Sequence, residues 1–219
     1  MATNPKFKIN RGAADYSGSF DHDEKWLNRF VERRNRIAAE LNAANHVAAL
    51  IRCFFNSSDF QLMVQKVLTT AIELTKADFG NIQVLSPKSG TLKIVAQRGF
   101  GSEFLTYFDQ VHEGKAACGT ALQTRQRVLV EDVTCDPIFC RSTKTIEVML
   151  AAEVRGVQST PLTGPTGNFV GVLSTHYRTP RVPSDSQLRA LDAVAWAVGD
   201  FMDWKRSMRC VTTTKFFEH

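Results

Sequence analysis

The chain has 219 residues, 43% hydrophobic and 22% charged, the make-up of an ordinary globular protein able to hold a core without disulfides or metals. No apolar run approaches the roughly 18 residues of a membrane span, and no apolar stretch follows the charged start, so a cytoplasmic protein with no membrane partner is expected. The net charge of +5 gathers outside the centre, from Lys6 to Arg52 and from Lys205 to Arg209. Glu24, Glu32 and Glu40 interleave with it and no aromatic–basic platform accompanies it, which fits solvated helix faces rather than a nucleic-acid partner.

Residues 1–20 are polar and aperiodic, which predicts a disordered tail. Asp21 and Asp23 suit a helix start, and segment 21–55 then reads as an amphipathic helix. Written as heptads, one seam position holds Phe30, Ile37, Ala44 and Ile51; the other holds Leu27, Arg34, Leu41 and Ala48. Such a stripe needs a partner. It is either a second copy, giving a homodimer, or the domain's own sheet. His46 lies on this helix, but no kinase phosphoacceptor motif surrounds it, so it reads as a polar residue on a solvated face.

A domain is expected over 44–205. Ser58 and Gln61 form a capping box that opens a helix with Met63, Val64, Val67, Leu68 and Ala71 on one face. Strands follow at 79–85 and 92–100, joined by Ser86-Pro87-Lys88-Ser89-Gly90, a hairpin composition. Short helices are predicted near 103–110 and 116–123, a strand at 127–133, and a loop leading to a helix near 144–152. Strands at 154–162 and 168–177 flank the turn Thr163-Gly164-Pro165-Thr166-Gly167. A second capping box, Ser184 with Gln187, opens the last helix, and 206–219 reads as a C-terminal tail.

Strands clustered in hairpins imply an α+β fold, an α/β sandwich. Its antiparallel sheet carries the terminal helices on one face and a cover of loops and short helices on the other. A small-molecule site between sheet and cover is then the natural expectation. Cys53, Cys118, Cys135, Cys140 and Cys210 are scattered, as idle thiols of a reducing compartment would be. With no C-x-x-C and no histidine pair at ligand spacing, no metal site is expected.

Leu74-Thr75-Lys76-Ala77-Asp78-Phe79-Gly80-Asn81-Ile82-Gln83, Ala96-Gln97-Arg98-Gly99-Phe100 and Ala117-Cys118-Gly119-Thr120-Ala121-Leu122 occur in collinear order. Val130-Glu131-Asp132-Val133, Asp136-Pro137-Ile138-Phe139, Val157-Gln158-Ser159-Thr160-Pro161-Leu162 and Gly171-Val172-Leu173-Ser174-Thr175-His176-Tyr177 follow them. Together these stretches resemble the GAF domain family of bacterial signalling proteins, in the form attached to PAS domains and histidine kinases. The resemblance implies a six-stranded antiparallel sheet, a pocket opposite the terminal helices, and dimerisation through those helices. It also implies a sensor or interaction module without catalysis, whose output belongs to a separate protein such as a histidine kinase.

The family's ligands include cyclic nucleotides, haem and bilins, and no cofactor is named for this chain. The Cys-His pair of bilin-binding members is absent from Ile146-Glu147-Val148-Met149-Leu150, and the cyclic-nucleotide signature Asn-Lys-Phe-Asp-Glu is not found. A haem would need an axial histidine, for which only His112 and His176 are placed. Resemblance and strand alternation together give Cys118, Phe139, Met149, Gln158, Ser174 and His176 as pocket candidates. Two alternatives stand beside the sensor. One is a thiol enzyme like free methionine sulfoxide reductase, using Cys118 and Cys140, although that family's Cys-Asp and Ser-Glu-Ile stretches are missing. The other is a structural dimerisation module, its pocket empty or filled in, whose whole function is the helical dimer.

Overall fold

The computed structural model describes residues 17–56 and 59–214. The expected tail over 1–20 falls on undescribed residues as far as 16; from Ser17 onward the chain is helical. Helix α1 spans Ser17–Asn56, and the chain divides into two units, Met1–Ala39 and Glu40–His219. Within the first unit Trp26 stacks on Phe30 at 5.4 Å, and Leu27, Phe30 and Ile37 are exposed.

In the second unit α1 carries two stripes. Ala43, Leu50 and Phe54, with Val47 beside them, are turned into the domain core. Leu41, Ala44, Ala48 and Ile51 remain exposed. The stripe expected as a seam is therefore not the one that packs on the domain. A neighbouring stripe does so, and it meets helix rather than the sheet, with Phe54 stacked on Phe201 at 4.5 Å and Cys53 against Lys66.

Helix α2 (Phe60–Thr75) is capped by Asp59, whose Oδ1 accepts the N–H groups of Gln61 at 2.9 Å and Leu62 at 3.2 Å. Ser58 of the expected capping box lies outside the described residues, and the Gln61 side chain reaches instead to the carbonyl of Val95 at 3.0 Å. Strands β1 (Phe79–Leu85) and β2 (Leu92–Arg98) make the first hairpin, with Gly90 at φ +68. The cover follows as α3 (Ser102–Tyr107) and α4 (Ala116–Thr124). After β3 (Val128–Val130) come α5 (Pro137–Cys140) and α6 (Thr143–Ala151). Strands β4 (Gly156–Thr163) and β5 (Phe169–Tyr177) form the second hairpin, with Gly167 at φ +82.

Helix α7 runs Asp185–Thr214, and its start has the reciprocal capping box read from the sequence. The Ser184 N–H donates to Gln187 Oε1 at 3.0 Å, and the Gln187 N–H to Ser184 Oγ at 3.4 Å. The tail expected from 206 is helical to Thr214, because no glycine or proline after Gly199 stops the helix.

The described strands form one antiparallel sheet in the order β2-β1-β5-β4-β3. The sixth strand is reduced to a single bridge, Leu92 with Val111, on the outer side of β2. Val95 has no counterpart on β1, since Ile82 pairs with Ala96 and Gln83 with Ile94; it is a bulge in the edge strand. On one face Ile82, Leu162 and Leu173 pack under α2 and α7. Gly199 lets α7 lie directly on β4, since a Cβ there would meet the Thr163 carbonyl at 2.3 Å. On the other face Phe79, Val157 and Val172 pack under the cover.

Candidate functional site

Side-chain alternation places a row of polar residues on the cover face of the three central strands. Asn81 of β1, Ser174 of β5 and Ser159 of β4 share one rung. His176 lies on the next rung, between Phe79 and Val157, and Gln83 lies on the rung to the other side, opposite Val172. The bulge at Val95 sits across from Gln83.

Ser159 and Ser174 bond each other at 2.8 Å. Asn81 Oδ1, both amide atoms of Gln83 and His176 Nδ1 are buried with no hydrogen-bond partner. Leaving one such atom unsatisfied costs about 1–3 kcal/mol, so this cluster is a stability liability built into one face. All four atoms belong to residues around one enclosed space of about 10 Å³, room for about one water.

The roof is aromatic. Phe104 and Phe108 come from α3 and its C-cap, Phe139 from α5, Met149 from α6 and Cys118 from α4. Phe100 and Phe104 stack at 3.8 Å, and His176 meets them edge-on at 5.0 and 6.0 Å. Tyr107 Oη and Thr145 Oγ1 lie 2.6 Å apart, tying α3 to α6. Lys115 donates to the Tyr107 carbonyl at 2.8 Å and rests over its ring. Arg155 grips Asp132 through Nε at 3.1 Å and Nη2 at 2.5 Å, pinning the turn after β3 to the start of β4.

Both titratable side chains in the space are held neutral. Burial pushes His176 down to about 3. Burial also pushes the Cys118 thiol up to about 11, against smaller opposing effects from nearby backbone N–H groups, Lys115 and Gln83. The influence of Gln83 on the sulfur falls short of hydrogen-bond geometry, so its amide stays unpartnered. A thiol so raised is the reverse of an activated nucleophile.

Of the six candidates read from the sequence, Cys118, Phe139, Met149, Ser174 and His176 line this space. Gln158 does not. It belongs to the opposite face, where its Oε1 accepts from Thr175 at 2.9 Å and its amide donates to Thr160. Its neighbour Ser159 takes the inward place. His112 is exposed, and Cys140, the second thiol of the enzyme alternative, is exposed on α5. The residues missed are Asn81, Gln83 and Ser159; the signal for the first two is a polar pair two residues apart in a strand that is otherwise apolar.

A larger open cleft, about 480 Å³, lies on the helical face beside Phe60, Val84 and Met202, with Lys93, Lys205 and Arg206 among its residues. None of the orphaned atoms is there, and Arg206 is engaged with the Leu85 carbonyl at 2.8 Å. Size alone favours this cleft, but the chemistry favours the enclosed space.

The sequence pattern of the GAF domain matches residues 57–203. The chain belongs to the GAF domain family. Solved structures agree with that fold. The GAF domain of a phosphoenolpyruvate-protein phosphotransferase from Coxiella burnetii superimposes with a TM-score of 0.66 at 12% identity, over 78% of this chain and 98% of the other. A domain described as belonging to a two-component sensor histidine kinase of Sinorhizobium meliloti gives 0.60 at 18%, over 71% and 99%. The free methionine-R-sulfoxide reductase of Neisseria meningitidis, solved with its substrate, gives 0.61 at 15%, over 76% and 93%. No curated protein matches the chain. A GAF fold shared by a kinase-associated domain, a phosphotransferase domain and a reductase does not by itself name an activity. Among the described residues no helix is long and apolar enough to cross a membrane, and no cluster of potential metal ligands occurs.

Proposed function

We propose that this GAF domain is a non-catalytic sensor of bacterial signal transduction, working in the cytoplasm as a homodimer. A small molecule enters between sheet and cover, displaces the phenylalanine roof and shifts the packing of the terminal helices. The observation that carries this reading is the convergence of orphaned buried polar atoms on one enclosed space. Such atoms are rare in folded proteins, and a polar ligand would satisfy them.

A route from that space to the helices is available. Gln83 lies in the space, and two residues along the same strand the Leu85 carbonyl is held by Arg206 of α7. α7 is in turn joined to α2 by Gln187, whose amide donates to the carbonyls of Leu74 at 3.3 Å and Thr75 at 3.0 Å. The exposed stripe of α1, with Leu27, Phe30, Ile37, Leu41, Ala44 and Ile51, supports pairing with a second copy. A separate output protein such as a histidine kinase would read the geometry of these helices. The buried, raised thiol of Cys118 argues against thiol turnover.

Native mass spectrometry of protein purified from its own host tests the sensor. A retained small molecule, released on denaturation, is expected; ligand-free protein under every growth condition would overturn the reading. Sedimentation of a chain lacking residues 1–43 tests the seam. A monomer is expected, and a dimer as tight as the full chain's would show that the α1 stripe is dispensable.

A further inference from the structure

We infer that the enclosed space is selective for an uncharged, planar, ring-sized molecule that carries both an N–H donor and a carbonyl acceptor, the edge of an aromatic carboxamide or lactam. This rests on the sensor reading above and adds the chemistry of the ligand. The unmet groups at the site are mixed in kind. Asn81 Oδ1 needs a donor, Gln83 Nε2 needs an acceptor, and Gln83 Oε1 needs a donor. A ligand with only one kind of group leaves part of this set unsatisfied. Asn81 and Gln83 stand two residues apart on one strand face, about 7 Å along β1, a separation that one or two fused rings span.

The surroundings decide the charge. No Asp, Glu, Lys or Arg side chain lines the space. His176 and Cys118 are the titratable groups there, and both are neutral near pH 7. Lys115, the cation that acts on the Cys118 thiol, is already committed to the carbonyl and ring of Tyr107. A carboxylate, phosphate or ammonium drawn into this space would be desolvated with no charged side chain lining it. Phe104, Phe108 and Phe139 line the space and supply aromatic surface against which a flat molecule packs. The present free volume of about 10 Å³ admits only a water, so entry requires those rings to move.

The test uses isosteric pairs that differ in charge: nicotinamide against nicotinate, and 2-quinolone against quinoline-2-carboxylate, titrated into the full chain by NMR and calorimetry. At least one neutral member is expected to bind, with its carboxylate partner at least tenfold weaker. Gln83→Leu is expected to weaken the neutral ligand at least tenfold while raising Tm, because it removes two orphaned atoms; a glutamine serving only structure would lower Tm when replaced. Carboxylates that bind as well as their neutral partners, and lose affinity in Gln83→Leu, would overturn the ligand class and leave the sensing site standing. Absence of binding by all four probes, to the wild-type chain and to a Phe108→Ala chain with a thinned roof, would overturn the ligand class. If host-purified protein is also ligand-free, the sensing site falls with it.

Discussion

Two glutamines, Gln83 and Gln158, are each 0% exposed and lie on opposite faces of the same sheet. Gln158 belongs to a finished network. Arg127 donates through Nε to Thr160 at 3.1 Å, Thr160 accepts from Gln158, and Gln158 accepts from Thr175, whose hydroxyl lies 3.3 Å from that of Tyr177. Arg127 also bonds the Leu188 carbonyl and Asp192, so the network runs across β4 and β5 and out to α7. Gln83 has no such company. The helical face has thus satisfied its buried polar groups for stability, whereas the cover face keeps polar groups that nothing in the fold uses. A protein holds such a liability at a site where something else is meant to satisfy it.

The contrast can be broken most sharply in the helical core. Leu173→Ala, at a fully buried position under α2 and α7, is expected to cost about 3 kcal/mol and lower Tm by several degrees in calorimetry. A loss below about 1 kcal/mol would mean this face is not the stable one. Gln158→Leu follows at about 2 kcal/mol, read by urea unfolding, because Thr175 and Thr160 lose partners in a buried setting.

His176 sharpens the comparison through pH. The unfolded chain protonates this histidine near 6.5, but the folded chain refuses the proton until about 3, so stability falls as pH drops through that window. The slope is up to about 1.4 kcal/mol per pH unit. It should be visible in denaturant melts between pH 6.5 and 4 and reduced in His176→Gln; identical slopes in both chains would refute it. Below pH 4 protonation of Asp132, held well under the usual carboxylate range chiefly by its bonds to Arg155, removes stability in the same direction. The smallest effect has the opposite sign. Gln83→Leu should gain about 1 kcal/mol, and a clear loss would show that its amide is satisfied after all.

Much of the fold was legible because local chemistry punctuates it. Ser184 with Gln187 and the two glycine-ended hairpin loops mark boundaries that the structure reproduces within a residue or two. The continuation of the last helix through 206–214 was not legible, because the sequence there carries neither a stop signal nor a regular apolar stripe to mark it. The site was legible only in part. Both faces of the sheet are covered, so apolar alternation cannot say which residues of β4 face the roof, and Gln158 was chosen where Ser159 points inward. Asn81 and Gln83 escaped notice because an unpartnered side chain is a property of three-dimensional surroundings.

The bulge at Val95 has a bearing on what the edge of the sheet can accept. An open edge strand is a template onto which another chain can add, and β2 is such an edge once the sixth strand has shrunk to one bridge. The bulge breaks its regular spacing, Gln61 occupies the Val95 carbonyl, and Lys93 and Arg98 put charge along it. Addition of another strand is therefore discouraged at this edge of the sheet.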